Sequence, residues 1–158
     1  MTLVIGIGNL LLKDEGIGVH VVQALKKMDL SDYVNLSIID GGTSPDILLL
    51  LERAHKLIII DATKGGDEPG AIYRFCPEDI ALEPDQLTSI HQIGLLQSLK
   101  MMQLMGTEPE EITIIGIEPK EMDFGLELSP ELQERIPQMT ELVLEEIGVS
   151  TDRQGKGD

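Results

Sequence analysis

Three acidic residues and one histidine occupy positions at which a folded chain could gather them for chemistry. Glu15 follows the first apolar run of the chain, Asp40 closes the second, Asp61 closes the third, and His91 begins a long helical pattern. In a parallel α/β sheet the carboxyl ends of the strands share one edge, and ligands bind in the crevice there. Carboxylates and an imidazole at such an edge can hold a divalent metal ion or carry out acid/base chemistry. These residue types alone do not choose between the two.

Apolar periodicity predicts the elements that would position these residues. Short apolar runs predict strands, and apolar residues at helical spacing predict helices. The predicted strands are residues 3–7, 34–40, 56–63, 71–75 and 112–117. The predicted helices are residues 16–28, 45–53, 91–105 and 130–147. Ser44 and Ser129 each precede a proline and are suited to cap the second and fourth helices. Gly148 is expected to end the last helix.

The order of these elements predicts a three-layer α/β fold with right-handed crossovers. Residues 57–60 show no polar alternation, which is typical of a strand buried on both faces of a parallel sheet. Residues 71–75 alternate in character and are predicted to lie at an edge. Because no second hydrophobic core or linker is visible, we predict a single domain over residues 1–149. Residues 150–158 contain no apolar residue and are predicted to be a disordered tail.

The chain is strongly acidic, with a formal net charge of −16 at pH 7. This charge argues against nucleic-acid binding through phosphates, which needs a basic surface, and against binding to anionic membranes. Residues 108–146 contain twelve acidic residues and two basic ones. Two interpretations stay open for this stretch: a solvated acidic face, or a surface that steers a basic partner.

The cysteine count and the apolar runs bear on the cellular compartment. Cys76 is the single cysteine, so no internal disulfide can form and no secretory context is indicated. The chain lacks a basic stretch before its first apolar run, unlike a signal peptide. No apolar run approaches the roughly 20 residues of a membrane span. We therefore predict a cytoplasmic protein without membrane insertion.

The glycines after the first predicted strand match the start of the dinucleotide-binding fingerprint G-x-G-x-x-G. Gly6 and Gly8 fit it, but Leu11 occupies the third position, where glycine lets the helix pack closely on the strand. Asp14 and Glu15 would lie where an anionic phosphate binds, and like charges repel. A nucleotide-binding α/β enzyme is therefore an alternative function that these residues disfavour.

Each candidate residue also has an ordinary structural explanation. Glu15 could favour the N-terminus of the following helix through its charge. Asp40 and Asp61 could cap turns through their side-chain oxygens, and His91 could be an ordinary histidine at a helix start. Cys76 has no activating neighbour that would make it a nucleophile. Neither a serine-hydrolase elbow nor a preformed zinc motif occurs in the chain.

Five short motifs nevertheless occur in a distinctive order. They are GIGNLLLKDEGIG at residues 6–18, DGGT at 40–43, IDAT at 60–63, SIHQ at 89–92 and GIEP at 116–119. In this order and at these intervals they resemble the hydrogenase maturation proteases, the endopeptidases that process the large subunit of [NiFe] hydrogenases. The resemblance covers about residues 3–147. Each motif is weak alone, whereas five in order are specific together.

The resemblance implies a fold and a function. The fold is a twisted, mostly parallel five-stranded sheet between helices, with one antiparallel strand. The function is removal of a short C-terminal extension from the large-subunit precursor after nickel has been inserted. The implied partner is that precursor, and we expect the enzyme to be a monomer without an organic cofactor. A non-catalytic nickel-site chaperone of the same fold is a further alternative.

The resemblance also assigns roles to the candidate residues. The metal-contacting positions of the family fall on Glu15, Asp61 and His91. Asp40 lies in the DGGT loop, which is linked to recognition of the substrate or its nickel. We hypothesise that the divalent metal is the substrate's own nickel, still held by substrate thiolates. The catalytic step could be Lewis-acid activation by the metal or acid/base catalysis with Asp40 or Asp61 as the base.

Overall fold

The computed structural model describes residues 1–43, 45–50, 54–80 and 90–155. The strands are β1 (Thr2–Gly6), β2 (Leu36–Asp40), β3 (Lys56–Ala62), β4 (Ile72–Phe75) and β5 (Glu111–Ile117). The α-helices are α1 (Ile17–Lys26), α2 (Pro77–Ile80), α3 (Ile90–Met105), α4 (Pro130–Gln133) and α5 (Ile136–Gly155). Two 3-10 helices, Lys13–Gly16 and Pro45–Leu50, precede α1 and follow β2.

The five strands form one sheet in the order β2-β1-β3-β5-β4. Four of them are parallel, and β4 pairs antiparallel with β5 at the edge. The predicted mostly parallel five-stranded sheet with one antiparallel strand is therefore confirmed. The register sets the geometry of the carboxyl edge, because Gly6 at the end of β1 lies between Asp40 of β2 and Ile60 of β3.

Hydrophobic clusters cover both faces of this sheet, as a three-layer fold requires. On one face Val4 and Ile58 pack with side chains of α1 and α5. On the other face Ile5 and Ile59 pack with Leu48 and side chains of α3. Successive residues of a strand point to opposite faces, so the unbroken apolar sequence of β3 supplies both clusters. Each fully buried side chain of this kind contributes about 1.5–3 kcal/mol.

Two predicted helices differ in the structure. The helix predicted over residues 45–53 is a 3-10 helix over residues 45–50. Ser44 and residues 51–53 lie outside the described residues. The last predicted helix is divided, because α4 ends at Gln133 and α5 begins at Ile136. Pro137 explains the break, since its ring would clash with the carbonyl four residues earlier and it has no N–H to donate.

The end of α5 also differs from the prediction. The helix passes through Gly148 and continues to Gly155, so Gly148 does not end it. A glycine inside a helix costs about 1 kcal/mol relative to alanine, which the rest of the helix tolerates. Residues 150–155 of the predicted disordered tail are thus helical, while residues 156–158 lie outside the described part of the chain. Among the described helices, none is both long and apolar enough to cross a membrane.

A buried ion-pair cluster ties α5 to the amino edge of the sheet. Lys56 is 3% exposed, and its Nζ lies 2.9 Å from both the backbone oxygen and a carboxylate oxygen of Glu146. Arg74 of β4 pairs with the second carboxylate oxygen. Burial alone would raise the pKa of Glu146, but the hydrogen bonds from Lys56 and Arg74 outweigh it and lower the pKa below its ordinary value. Glu146 is therefore part of the core rather than of a solvated acidic face.

Candidate active site

After β1 the backbone at Gly8 lies close against the backbone at Glu15, which fixes the position of Glu15. The Ile7 N–H donates to the Ile60 carbonyl at 3.0 Å, which extends the pairing of β1 with β3. A Cβ on Gly8 would collide with the carbonyl oxygen of Glu15. Glycine at this position therefore lets the 3-10 helix Lys13–Gly16 lie against the end of β1 and against β3. Glu15 is half-buried at this edge.

Asp40 ends β2 on the other side of β1 and shapes a turn. Its Oδ1 accepts a hydrogen bond from the Gly42 N–H at 2.9 Å, which is the turn-capping arrangement expected of aspartate. Gly42 has a φ of +67°, a conformation that glycine adopts without steric cost. The Gly41 N–H donates to the Gly6 carbonyl at 2.8 Å, so the loop is anchored to β1. The Asp40 side chain itself is exposed to solvent.

Asp61 lies on the opposite side of the β1 end and is buried. It is 2% exposed and stands opposite Gly116 in the pairing of β3 with β5. Its Oδ1 accepts a hydrogen bond from the Ala62 N–H at 2.8 Å. Asp61 is therefore a buried carboxylate at the carboxyl edge of the sheet.

His91 is the second residue of α3, and its side chain lies outside the described residues. The 16 residues of α3 span about 24 Å at 1.5 Å per residue. The helix ends at Met105, six residues before β5 starts at the amino edge of the sheet. A helix of this length that returns to the amino edge begins near the carboxyl edge, where the other three residues lie.

The structure therefore brings the backbones of Glu15, Asp40 and Asp61 together around the end of β1. Among the side chains that the structure describes, no three His, Cys, Asp or Glu residues form a group placed to hold a metal ion. A three-residue set formed with His91 stays a prediction. The other histidines lie elsewhere: His20 is in α1 with its pKa lowered by burial, and His55 pairs with Glu110 at 3.0 Å near the amino edge.

Asp14 has a role that the sequence analysis missed. It is fully buried, and its carboxylate accepts hydrogen bonds from the backbone N–H groups of Lys120, Glu121 and Ser129 and from the Ser129 hydroxyl, at 2.8–2.9 Å. Burial would raise the pKa of Asp14, but these four hydrogen bonds together lower it below its ordinary value. Asp14 thus holds the β5–α4 loop (residues 118–129) against the segment that carries Glu15.

Glu118, from the GIEP motif, has a similar role for the loop that follows β3. It is 8% exposed and accepts hydrogen bonds from the backbone N–H groups of Gly65 at 2.7 Å and Gly66 at 3.2 Å. The Tyr73 hydroxyl also donates to it, at 3.0 Å. Burial and this hydrogen bond raise the pKa of Tyr73 above its ordinary value. The sequence signal was an acid that directly follows a strand at the edge where Asp61 lies.

Comparison with known proteins identifies the family. A family model for hydrogenase maturation proteases matches residues 19–146. The chain belongs to this family. The chain is also 36% identical to the hydrogenase 2 maturation protease of Escherichia coli, over 90% of its own length and 87% of that protein's. Members of the family are peptidases, and nothing in the comparisons supports the nucleotide-binding alternative.

A further sequence relative and a solved structure agree with this assignment. The hydrogenase expression/formation protein HupD of Thiocapsa roseopersicina is 36% identical over 90% of this chain, which spans 66% of that protein's length. The solved structure of the hydrogenase maturating endopeptidase HybD from Escherichia coli superposes with a TM-score of 0.80 at 30% identity. That likeness covers 94% of this chain and 93% of the other.

Proposed function

We propose that this hydrogenase maturation protease removes the C-terminal extension from the nickel-loaded large-subunit precursor of a [NiFe] hydrogenase. The family match over residues 19–146 carries this proposal. The geometry supports it. Asp40 and Asp61 lie on either side of the end of β1, and Glu15 lies on the 3-10 helix that packs against β3. A crevice at the carboxyl edge of a parallel sheet is the usual binding place in such folds.

The nickel ion of this reaction belongs to the substrate. Glu15, Asp61 and His91 would supply two carboxylates and one imidazole, which are donors suited to a divalent transition metal. Three protein ligands leave coordination positions for the substrate's own thiolates. Such a shared site recognises a precursor only when its nickel is present, which places processing after metal insertion.

Asp40 and Asp61 differ in solvent exposure, and this difference suggests different roles for them. Asp40 is exposed at the carboxyl edge and its Oδ1 is already held by the Gly42 N–H, so its carboxylate is oriented and accessible to water. Asp61 is 2% exposed and suits the binding role better. We therefore propose that Asp40 accepts the proton of the attacking water and that Asp61 anchors the substrate's nickel. The nickel ion would add Lewis acidity beside the bond to be cut.

Site variants test this assignment by mass spectrometry of the precursor. Asp61→Asn and His91→Ala should each abolish cleavage and leave the thermal unfolding temperature close to that of the wild type. Asp40→Asn should lower kcat with a smaller effect on precursor binding. Glu141→Gln, an exposed acid of α5, is the control and should cleave normally. Normal cleavage by both single variants, Asp61→Asn and His91→Ala, would refute the assignment of these residues to the site.

The same experiment separates an enzyme from a nickel-site chaperone. A chaperone would bind the precursor and leave its C-terminal peptide in place, whereas a protease releases it. A cytoplasmic location and a monomeric state are further parts of the proposal, supported by the single cysteine and by the strong negative charge.

A further inference from the structure

Three strongly exposed apolar side chains lie on two neighbouring loops beside the candidate site. Leu11 is 59% exposed, Phe124 is 86% exposed and Leu126 is 68% exposed. We call these three residues the apolar patch. Leu11 belongs to the segment between β1 and the first 3-10 helix, and the other two belong to the β5–α4 loop. Exposed apolar side chains on neighbouring loops mark a binding site more often than a single exposed side chain does.

Backbone pairing holds the two loops of the patch together. Gly125, which stands between the two apolar residues of the β5–α4 loop, donates to the Leu11 carbonyl at 2.9 Å. The Lys13 N–H in turn donates to the Gly125 carbonyl at 3.0 Å. The four hydrogen bonds accepted by Asp14 fix the same loop at both of its ends. The patch is therefore preformed, which lowers the entropy cost of binding.

Leu11 of the patch and Glu15 of the candidate site lie on the same segment of the chain. Leu11 precedes the 3-10 helix Lys13–Gly16, which carries Glu15 and packs against β3. A chain bound in the crevice at the end of β1 can thus continue across the patch. Three exposed side chains offer far less surface than the roughly 800 Å² that each partner buries in a standard protein–protein interface. This size suits one peptide segment rather than a folded partner by itself.

The charges around the patch indicate the chemistry of its occupant. Glu121, Asp123 and Glu127 are exposed around it. The Lys13 Nζ lies 3.4 Å from a carboxylate oxygen of Glu121 and 3.5 Å from one of Asp123. Because one lysine serves two of the three acids, the rim stays negative. A second copy of this chain, with its own net charge of −16, would be repelled. A segment with apolar side chains and a flanking Lys or Arg is complementary to this rim.

We propose that the apolar patch binds the segment of the precursor next to the bond to be cut, through apolar side chains flanked by at least one basic residue. This inference rests on the proposed function, because it takes the precursor as the substrate. It assigns Leu11, Phe124 and Leu126 to substrate binding rather than to chemistry. The patch thereby aligns the scissile segment with the carboxylates around the end of β1.

Binding and cleavage of the nickel-loaded precursor, measured side by side, test the inference. Phe124→Ser and Leu126→Ser should each weaken precursor binding at least tenfold, which corresponds to about 1.4 kcal/mol. They should raise KM and change kcat by no more than about twofold, because they leave Glu15 and Asp61 in place. Leu104→Ser is the matched control, since Leu104 is 83% exposed on α3, outside the patch. The thermal unfolding temperatures of all three variants should match the wild type.

Each other outcome has a defined meaning. If Phe124→Ser and Leu126→Ser bind the precursor with wild-type affinity and keep the wild-type KM, the patch does not bind the substrate. The proposed function would still stand. If the wild-type protein binds the precursor without cutting it, the proposed function fails, and the binding constants of the variants still decide the patch. Sedimentation that shows a wild-type dimer, dissociated by Phe124→Ser, would identify a second copy as the occupant and overturn the inference.

Discussion

Replacing Asp14 with alanine should destabilise the protein more than any exposed substitution in the same region. The change removes the acceptor of four hydrogen bonds that tie the β5–α4 loop to the segment carrying Glu15. Each buried donor left without a partner costs about 1–3 kcal/mol. Lys120 and Glu121 are exposed residues, so water can reach their N–H groups after the change. Ser129 is 4% exposed, and its N–H bears most of the penalty.

The expected loss is about 3 kcal/mol for Asp14→Ala, from the Ser129 N–H at full cost and the other three donors at partial cost. Asp14→Asn keeps the shape and one acceptor oxygen, but its amide N–H₂ faces donors, so it should lose about 2 kcal/mol. Asp123→Asn should leave the free energy of unfolding unchanged within error, because Asp123 is an exposed partner of a surface ion pair. The assay is urea unfolding at pH 7 with linear extrapolation.

The pH dependence gives a second test of the same residue. The pKa of Asp14 is lowered from its ordinary value of 3.8, so its stabilising contribution is present above that value. The contribution is lost as the pH falls through the lower pKa of the folded state. Asp14→Asn should therefore lose less stability than the wild type as the pH falls below about 4. A loss below about 1 kcal/mol for Asp14→Ala at pH 7 would refute the conclusion that Asp14 holds the β5–α4 loop in place.

Two further substitutions probe the positioning of the site. Gly8→Ala should lower cleavage about a hundredfold, because the new Cβ collides with the Glu15 carbonyl and small displacements of catalytic groups have effects of that size. Gly148→Ala, which meets no atom within 4 Å, is its control and should stabilise the helix; equal activity of the two variants would contradict the argument. Glu118→Gln should cost about 1–2 kcal/mol and lower the pKa of Tyr73 toward its ordinary value in an absorbance titration, with Tyr73→Phe identifying the signal. An unchanged Tyr73 pKa in Glu118→Gln would show that Glu118 does not raise it.

The sheet could be predicted from local sequence because burial leaves a local record. The apolar run of β3 has no polar alternation, which marks a strand covered on both faces. The positions of Asp40 and Asp61 at strand ends followed from those runs, and parallel topology then placed them on one edge. The break before α5 was also readable in principle, since Pro137 cannot occupy the interior of a helix.

The roles of Asp14 and Glu118 could not be predicted in this way. Asp14 and Glu15 are adjacent acids with the same local setting, yet the first is fully buried and the second is half-buried. The partners of Asp14 lie 106 to 115 residues away along the chain, and those of Glu118 lie 45 to 53 residues away. Hydrogen bonds between distant loops leave no periodic pattern, so only the structure distinguishes the buried acid from the half-buried one.

The most direct test is mass spectrometry of one large-subunit precursor, prepared with and without nickel, before and after addition of this protein. The nickel-loaded precursor should lose the mass of its C-terminal extension, and the nickel-free precursor should not. Loss of the extension at the same rate from both forms would contradict recognition of the substrate's nickel by Glu15, Asp61 and His91. An unchanged mass of the loaded precursor would contradict the protease itself.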